Sequence, residues 1–266
     1  MAKDLWKQIQ TVRQASPLVH NITNFVVMNN SANALLAIGA SPIMSHSHSE
    51  VEEMVSLCQS LVINIGTLDE YFVQSMMLSA DTANKLNRPW VLDPVGAGAT
   101  TYRNEVLSQL MALKPSVIRG NASEILALAM VNGANTKGVD STAKSNEAIA
   151  AANYIHEKYG AVVCISGETD IVVSDKKQTF IHNGSALMTK VTGLGCSSTA
   201  VIGAFIAAVD KHHEAVTAAM ALFGVCGQLA AAHSDGPGSL QVNLLDKLYN
   251  ITEHEFLETL RISGDE

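Results

Sequence analysis

The residues best equipped for chemistry lie in Thr192-Gly193-Leu194-Gly195-Cys196-Ser197-Ser198, ahead of the apolar run Thr199 to Val209. Two glycines allow a tight turn and close backbone approach, and N–H groups from Gly193 to Ser197 at the start of a helix would face an anion such as a transferring phosphoryl group. The same pattern also serves simply to cap helices, and the turn alone leaves both readings open. Cys196 sharpens the first, because a thiol at a helix N-terminus is where the thiolate is favoured and its pKa falls. Cys58, Cys164 and Cys226 sit instead in apolar helix or strand patterns and read as small buried residues. Covalent catalysis by Cys196 lacks a partner base, since no His or Asn is near it in the sequence.

Three further clusters carry usable groups. Asp93-Pro94-Val95-Gly96-Ala97-Gly98-Ala99-Thr100 follows the apolar Trp90-Val91-Leu92. A carboxylate there binds Mg²⁺ directly or through water, and the glycines admit a phosphate, although Asp-Pro is also a turn former. In Arg119-Gly120-Asn121-Ala122-Ser123-Glu124 the spacing of Asn121 and Glu124 is that of a helix capping box, beside an arginine suited to bidentate phosphate contact. Ser166-Gly167-Glu168 is a polar turn whose hydroxyl can meet a phosphate. Near the N-terminus, Asn24 in His20-Asn21-Ile22-Thr23-Asn24 either caps the following helix or offers an amide to a neutral heterocycle, and Met44 ends a strand before Ser45-His46-Ser47-His48. Those two histidines lack further ligands at metal spacing and read as a surface loop.

The elements that must position these groups alternate between short apolar runs and longer helical patterns, the signature of βαβ units and a mostly parallel sheet. The spacing predicts strands at Leu18–Val19, Pro42–Met44, Leu61–Asn64, Trp90–Leu92, Val117–Arg119 and Val162–Ser166, and an edge hairpin from Ile171–Val173 and Thr179–Ile181. In such sheets ligands bind beyond the carboxyl ends of the strands, so the polar turns should converge. Helix starts are predicted at Ser49-Glu50-Val51-Glu52 and Asn121-Ala122-Ser123-Glu124. No repeat or linker divides residues 1–266, which predicts a single domain.

Composition excludes several classes. A formal net charge of −8 provides no field to attract nucleic acid, so any phosphate must be held locally. The four scattered cysteines suggest neither disulfide framework nor zinc site and fit a reducing compartment. With no apolar signal segment at the N-terminus, a cytoplasmic location is expected. Ala215 to Ala232 is apolar, but its Ala and Gly content reads as a buried core helix and not a membrane span.

Taken in order, these segments resemble hydroxyethylthiazole kinases. The resemblance runs from Pro17-Leu18-Val19-His20-Asn21-Ile22-Thr23-Asn24 through Ala40-Ser41-Pro42-Ile43-Met44, the Asp93 and Arg119 clusters and Ser166-Gly167-Glu168, to Gly193-Leu194-Gly195-Cys196. It implies a ribokinase-like α/β fold, a central mostly parallel sheet flanked by helices on both faces, assembled as a homotrimer with active sites between subunits. It implies ATP and a thiazole alcohol as substrates and Mg²⁺ as cofactor. By the same resemblance Cys196 stands where the general base acts, Arg119 and Ser166 match ATP contacts, and Asp93 and Glu124 match positions near Mg²⁺ and phosphate. Met44, Gly193 and Asn24 match the thiazole pocket. Ser166 stands where Thr is commoner, and Leu194 separates the two glycines; both preserve the chemistry. The competing readings are a ribokinase-like dehydratase of hydrated nicotinamide cofactors, which predicts Asp in place of Cys196, and a binding protein without turnover.

Overall fold

The computed structural model describes residues 1–134, 141–175 and 177–264. Nine strands form one sheet: β1 (Leu18–Ile22), β2 (Ser41–Ile43), β3 (Ser60–Asn64), β4 (Trp90–Asp93), β5 (Val117–Asn121), β6 (Val162–Ser166), β7 (Asp170–Ser174), β8 (Lys177–Ile181) and β9 (Ile262–Gly264). Their order is β2-β1-β3-β4-β5-β6-β7-β8-β9. Pairing is parallel from β2 to β6 and antiparallel from β6 to β9. The expected hairpin therefore lies next to the sheet edge, not at it, because the short β9 pairs outside β8. Three residues near the chain end carry no alternation from which a strand could be read.

The inner strands are buried on both faces, which is why they read as nearly continuous apolar runs. Val62, Val91, Val117 and Val172 point to one core, and Ile63, Leu92, Ile118 and Val173 to the other. Against the first face pack α1 (Ala2–Ala15), α2 (Met28–Ala37), α8 (Leu194–Ala208), α9 (His212–Ala231), α10 (Pro237–Asn250) and α11 (Glu253–Thr259). Against the second pack α3 (Val51–Leu57), α4 (Glu70–Lys85), α5 (Thr101–Ala112), α6 (Ala122–Val131) and α7 (Ser141–Tyr159). The ribokinase-like architecture is thus present, with helices on both faces.

Of the two capping boxes, the one at Asn121 and Glu124 closes in both directions. The one at Ser49 does not form: α3 begins at Val51, and its N-cap Glu50 makes no side-chain cap bond. Glu50 instead accepts from the Ser45 hydroxyl. Among the described residues α9 is long and apolar enough to cross a bilayer, with a mean hydropathy of 1.4, but 78% of that window is buried in protein, as a core helix requires.

Candidate active site

Because side chains alternate along a strand, residues two apart share a face. Asn64, Asp93 and Arg119 therefore follow Val62, Val91 and Val117 onto the α8 side of the sheet, and Asp170 precedes Val172 onto the same side. Their strands are adjacent or nearly so, and Asn64 stands directly opposite Asp93 in the register. This row of polar groups lies beneath the first turns of α8. Asp93 is fully buried and Asn64 is 1% exposed.

A chain of hydrogen bonds joins the row to Cys196. Thr199 Oγ1 of α8 donates to Asp93 Oδ2 at 2.8 Å, and Asn64 Nδ2 donates to the same oxygen at 2.7 Å. Asn24 Nδ2 donates to Asn64 Oδ1 at 2.8 Å and approaches Cys196 Sγ at 3.6 Å. Asn24 Oδ1 accepts from Val26 N at 3.1 Å. Asn24 thus does not cap α2, whose N-cap is Val27, and its two amide hydrogens face Asn64 and Cys196.

At the head of α8, Gly193 adopts the left-handed region, φ 81°, as N-cap. Ser197 N donates to Gly193 O at 2.8 Å, so its N–H is spent. The anion-facing set is narrower than expected, namely Leu194, Gly195 and Cys196, which precede the first intrahelical donor. Arg119 packs against this turn. A Cβ on Gly195 would stand 2.7 Å from Arg119 Nη1, so the missing side chain makes room for the guanidinium. Arg119 Nε is buried without a partner. Glu124 does more than cap: Oε2 accepts from Asn121 N at 2.8 Å while Oε1 accepts from Gly96 N at 3.1 Å, tying the turn after β4 to α6. Ser166 ends β6 opposite Asn121. Met44 follows β2 at the sheet edge, three strand spacings or roughly 14 Å laterally from Asp93.

The electrostatics reverse one expectation. Burial and the neighbouring Asp93 carboxylate push the Cys196 thiol up to about 11, outweighing the amides of Asn64 and Asn24 and the charge of Arg119. Cys196 is therefore a neutral thiol near pH 7, because desolvation at this site opposes the effect of a helix start. Asp93 is raised to about 6 by complete burial, against the pull of Arg119, Thr199 and Asn64.

Comparison with known proteins identifies the family. The hydroxyethylthiazole kinase family profile matches residues 9–254. The chain belongs to the hydroxyethylthiazole kinase family. It is 49% identical to the hydroxyethylthiazole kinase of Syntrophus aciditrophicus (strain SB) over 265 residues, 99% of this chain and 98% of that one. The solved hydroxyethylthiazole kinase protein from Pyrococcus horikoshii OT3 superposes with a TM-score of 0.92 at 39% identity, covering 99% and 100% of the two chains. A ribokinase-like superfamily protein from Enterococcus faecalis V583 shares the fold, with a TM-score of 0.61 at 14% identity over 90% and 88% of the chains.

A kinase needs groups for ATP, and the residues here can be tested for fit to a divalent cation. Asp93 Oδ1 is buried with no hydrogen-bond partner. Glu124 supplies a second carboxylate nearby. Among the described residues no cluster of three His, Cys, Asp or Glu side chains could hold a metal unaided, His46 and His48 included. These two stack on Phe72 and Tyr71 instead. One or two carboxylates completed by water and phosphate oxygens is the donor set Mg²⁺ takes, so the residues fit it.

Four residues that build this arrangement were not singled out by the sequence as candidates for chemistry, although Asn64 and Asp170 lie in its polar turns: Asn64, Thr199, Asp170 and Arg103. Arg103 donates to Val95 O and Gly66 O, both at 2.9 Å, and to Ile65 O, so it pins the turns after β3 and β4 together. Asp170 Oδ1 accepts from Gly167 N at 3.0 Å and closes the turn after Ser166. Only a turn spacing of three residues hinted at that bond.

Burial raises Asp170 from the ordinary 3.8 to about 6. A raised folded-state pKa means that stability falls as pH climbs through that range. Asp170→Asn retains an acceptor for Gly167 and removes the buried charge. It is expected to raise Tm at pH 7.5, with the gain shrinking below pH 6 and gone below about pH 4. Thermal melts from pH 4 to 8 check this, and a lower Tm at pH 7.5 would show that the charge itself is needed, by Arg119.

Proposed function

We propose that this enzyme transfers the γ-phosphoryl group of ATP to the hydroxyl of 4-methyl-5-(2-hydroxyethyl)thiazole, a step of thiamine salvage. The reading is carried by one juxtaposition within a chain of this family: Cys196 on the first turn of α8, with the free N–H groups of Leu194, Gly195 and Cys196 and the guanidinium of Arg119 around it. Phosphoryl transfer is mainly positioning and electrostatic stabilisation. In this reading the α8 N–H groups and Arg119 receive the developing charge, and Ser166 and the adjoining turn contact ATP. Cys196 orients the acceptor hydroxyl more than it takes its proton, since its thiol is neutral; as the hydroxyl oxygen bonds to the γ-phosphorus ADP leaves, and the hydroxyl proton passes to a phosphate oxygen and on to water. Asp93 and Glu124 would hold Mg²⁺, which supplies neutralisation of the polyphosphate. Gly193 and Met44 border the thiazole, with Asn24 fixing Cys196 at its side.

The position of Met44 just past the edge strand, and the exposure of Phe25 at 58% and Val26 at 62% beside Asn24, support a site completed by a neighbouring subunit in a homotrimer. Residues 1–266 act as one kinase domain, in the cytoplasm, where four free cysteines are at home.

A coupled ADP-release assay comparing the thiazole alcohol with hydroxymethylpyrimidine tests the activity. Faster turnover of the thiazole alcohol is expected, and ADP release with neither alcohol would leave a binding protein. Light scattering should return about three times the 28.2 kDa chain mass. A fully active monomer would sink the shared site.

A further inference from the structure

We infer that Asn64 is a positioning residue that couples the two halves of the site, setting Cys196 relative to Asp93 through Asn24. The inference rests on the kinase reading for its catalytic meaning and on the hydrogen bonds for its geometry.

Asn64 has one permitted amide orientation. Its Oδ1 accepts from Gly66 N at 2.9 Å and from Asn24 Nδ2 at 2.8 Å. A flipped amide would set its own N–H groups against these two donors and its oxygen against the Asp93 carboxylate. Nδ2 is thereby aimed at Asp93 Oδ2, at 2.7 Å. The next link is equally one-way. Asn24 Oδ1 is taken by Val26 N, so its two amide hydrogens face Asn64 and Cys196 Sγ. The chain from Asp93 to Cys196 has a single polarity, and the sulfur at its end is an acceptor, which leaves the S–H hydrogen to point away from Asn24.

Two other features protect the arrangement. A Cβ on Gly66 would come within 2.6 Å of Asn24 Nδ2, so only glycine leaves space for the amide pair. Thr199 and Asn64 both donate to Asp93 Oδ2, leaving Oδ1 as the carboxylate's bare oxygen. Asn64 thus decides both which oxygen of Asp93 is open and where the thiol sits. It touches neither substrate in this reading and acts through these two side chains.

The test is a kinetic cycle of wild type, Asn64→Ala, Cys196→Ala and the double variant, with kcat and both KM values from ADP release. Asn64→Ala is expected to lower kcat about 10²-fold, the scale of a misplaced reacting group, with both KM values within about threefold. In the Cys196→Ala background the same change should cost under about tenfold, because part of its effect runs through the missing thiol. Wild-type kcat in Asn64→Ala, or an equal loss in both backgrounds, would overturn the inference. Should Asn64→Ala not fold, Asn64→Ser enters the same cycle, with a hydroxyl too short to serve both Asp93 and Asn24. A thermal-melt cycle of Asn24→Ala with Asn64→Ala reads the chain without turnover. The double loss in Tm should be smaller than the sum of the single losses, and strict additivity would refute the pairing even in a chain that failed to phosphorylate the alcohol.

Discussion

Cys196→Ala is expected to lose about 10²-fold in kcat, the low end of what a positioned proton acceptor supplies, while Cys196→Asp keeps or exceeds the wild-type rate. The alanine loss is modest because the wild-type thiol, at about 11, is hardly ionised near neutral pH. What disappears is the group that orients the hydroxyl, while the N–H groups of α8 and Arg119 remain. Aspartate reverses the ionisation problem. Its carboxylate titrates far below a thiol even after desolvation, and an N–H of Asn24 already faces this position as a donor. The closeness of Asp93 limits the gain, since two carboxylates in one buried site repel. Steady-state kcat at saturating ATP and thiazole alcohol, with circular dichroism to confirm the fold, checks both variants. An alanine variant at the wild-type rate would reduce Cys196 to packing. A dead aspartate variant that binds both substrates would point to a steric or covalent role.

Asp93→Asn is expected to lower kcat about 10³-fold with little loss of fold. Asparagine matches aspartate in shape, and its oxygen can still accept from Thr199 Oγ1 and Asn64 Nδ2, which hold the native carboxylate at 2.8 and 2.7 Å. It places an amide where the bare Oδ1 stood and deletes the one fully buried negative charge of the row. Removing a preorganised charge or donor from a dry site costs about 10²–10³-fold, and in the proposed reading the charge would also help hold Mg²⁺. The same ADP-release assay, run across Mg²⁺ concentrations, reads the loss. Full recovery at high Mg²⁺ would confine Asp93 to metal affinity, and an unchanged rate would remove it from the site.

Much of this arrangement was legible because it is local. The strand ends that carry Asp93, Arg119 and Ser166 follow apolar runs bounded by glycine, and the Asn121–Glu124 box is a three-residue interaction that forms as its spacing predicts. Other local signals were overruled. Ser49 has the spacing of a cap, yet the cap falls one residue later, on Glu50, whose carboxylate is drawn to Ser45. A thiol on a helix's first turn is expected to ionise readily, yet Cys196 does the opposite. Its local sequence carries no information about the Asp93 carboxylate or the depth at which α8 buries it.

The order and type of elements, the glycines at the head of α8 and the family are consequences of chain-local chemistry: hydrophobic period, turn geometry and motif order act between residues a few positions apart. The bonds that join Asn64 to Asp93 and Asn24 to Cys196 act across 29 and 172 positions. Those pairings exist only after the parallel register sets Asn64 beside Asp93 and α8 settles over both. Ionisation follows the same rule, because desolvation is a property of the packed interior and not of any segment. Tertiary structure therefore decided that Asn24 spends its amide on Cys196, that the thiol stays protonated, and that Asn64, an ordinary residue at the end of an ordinary strand, stands between the two ends of the site.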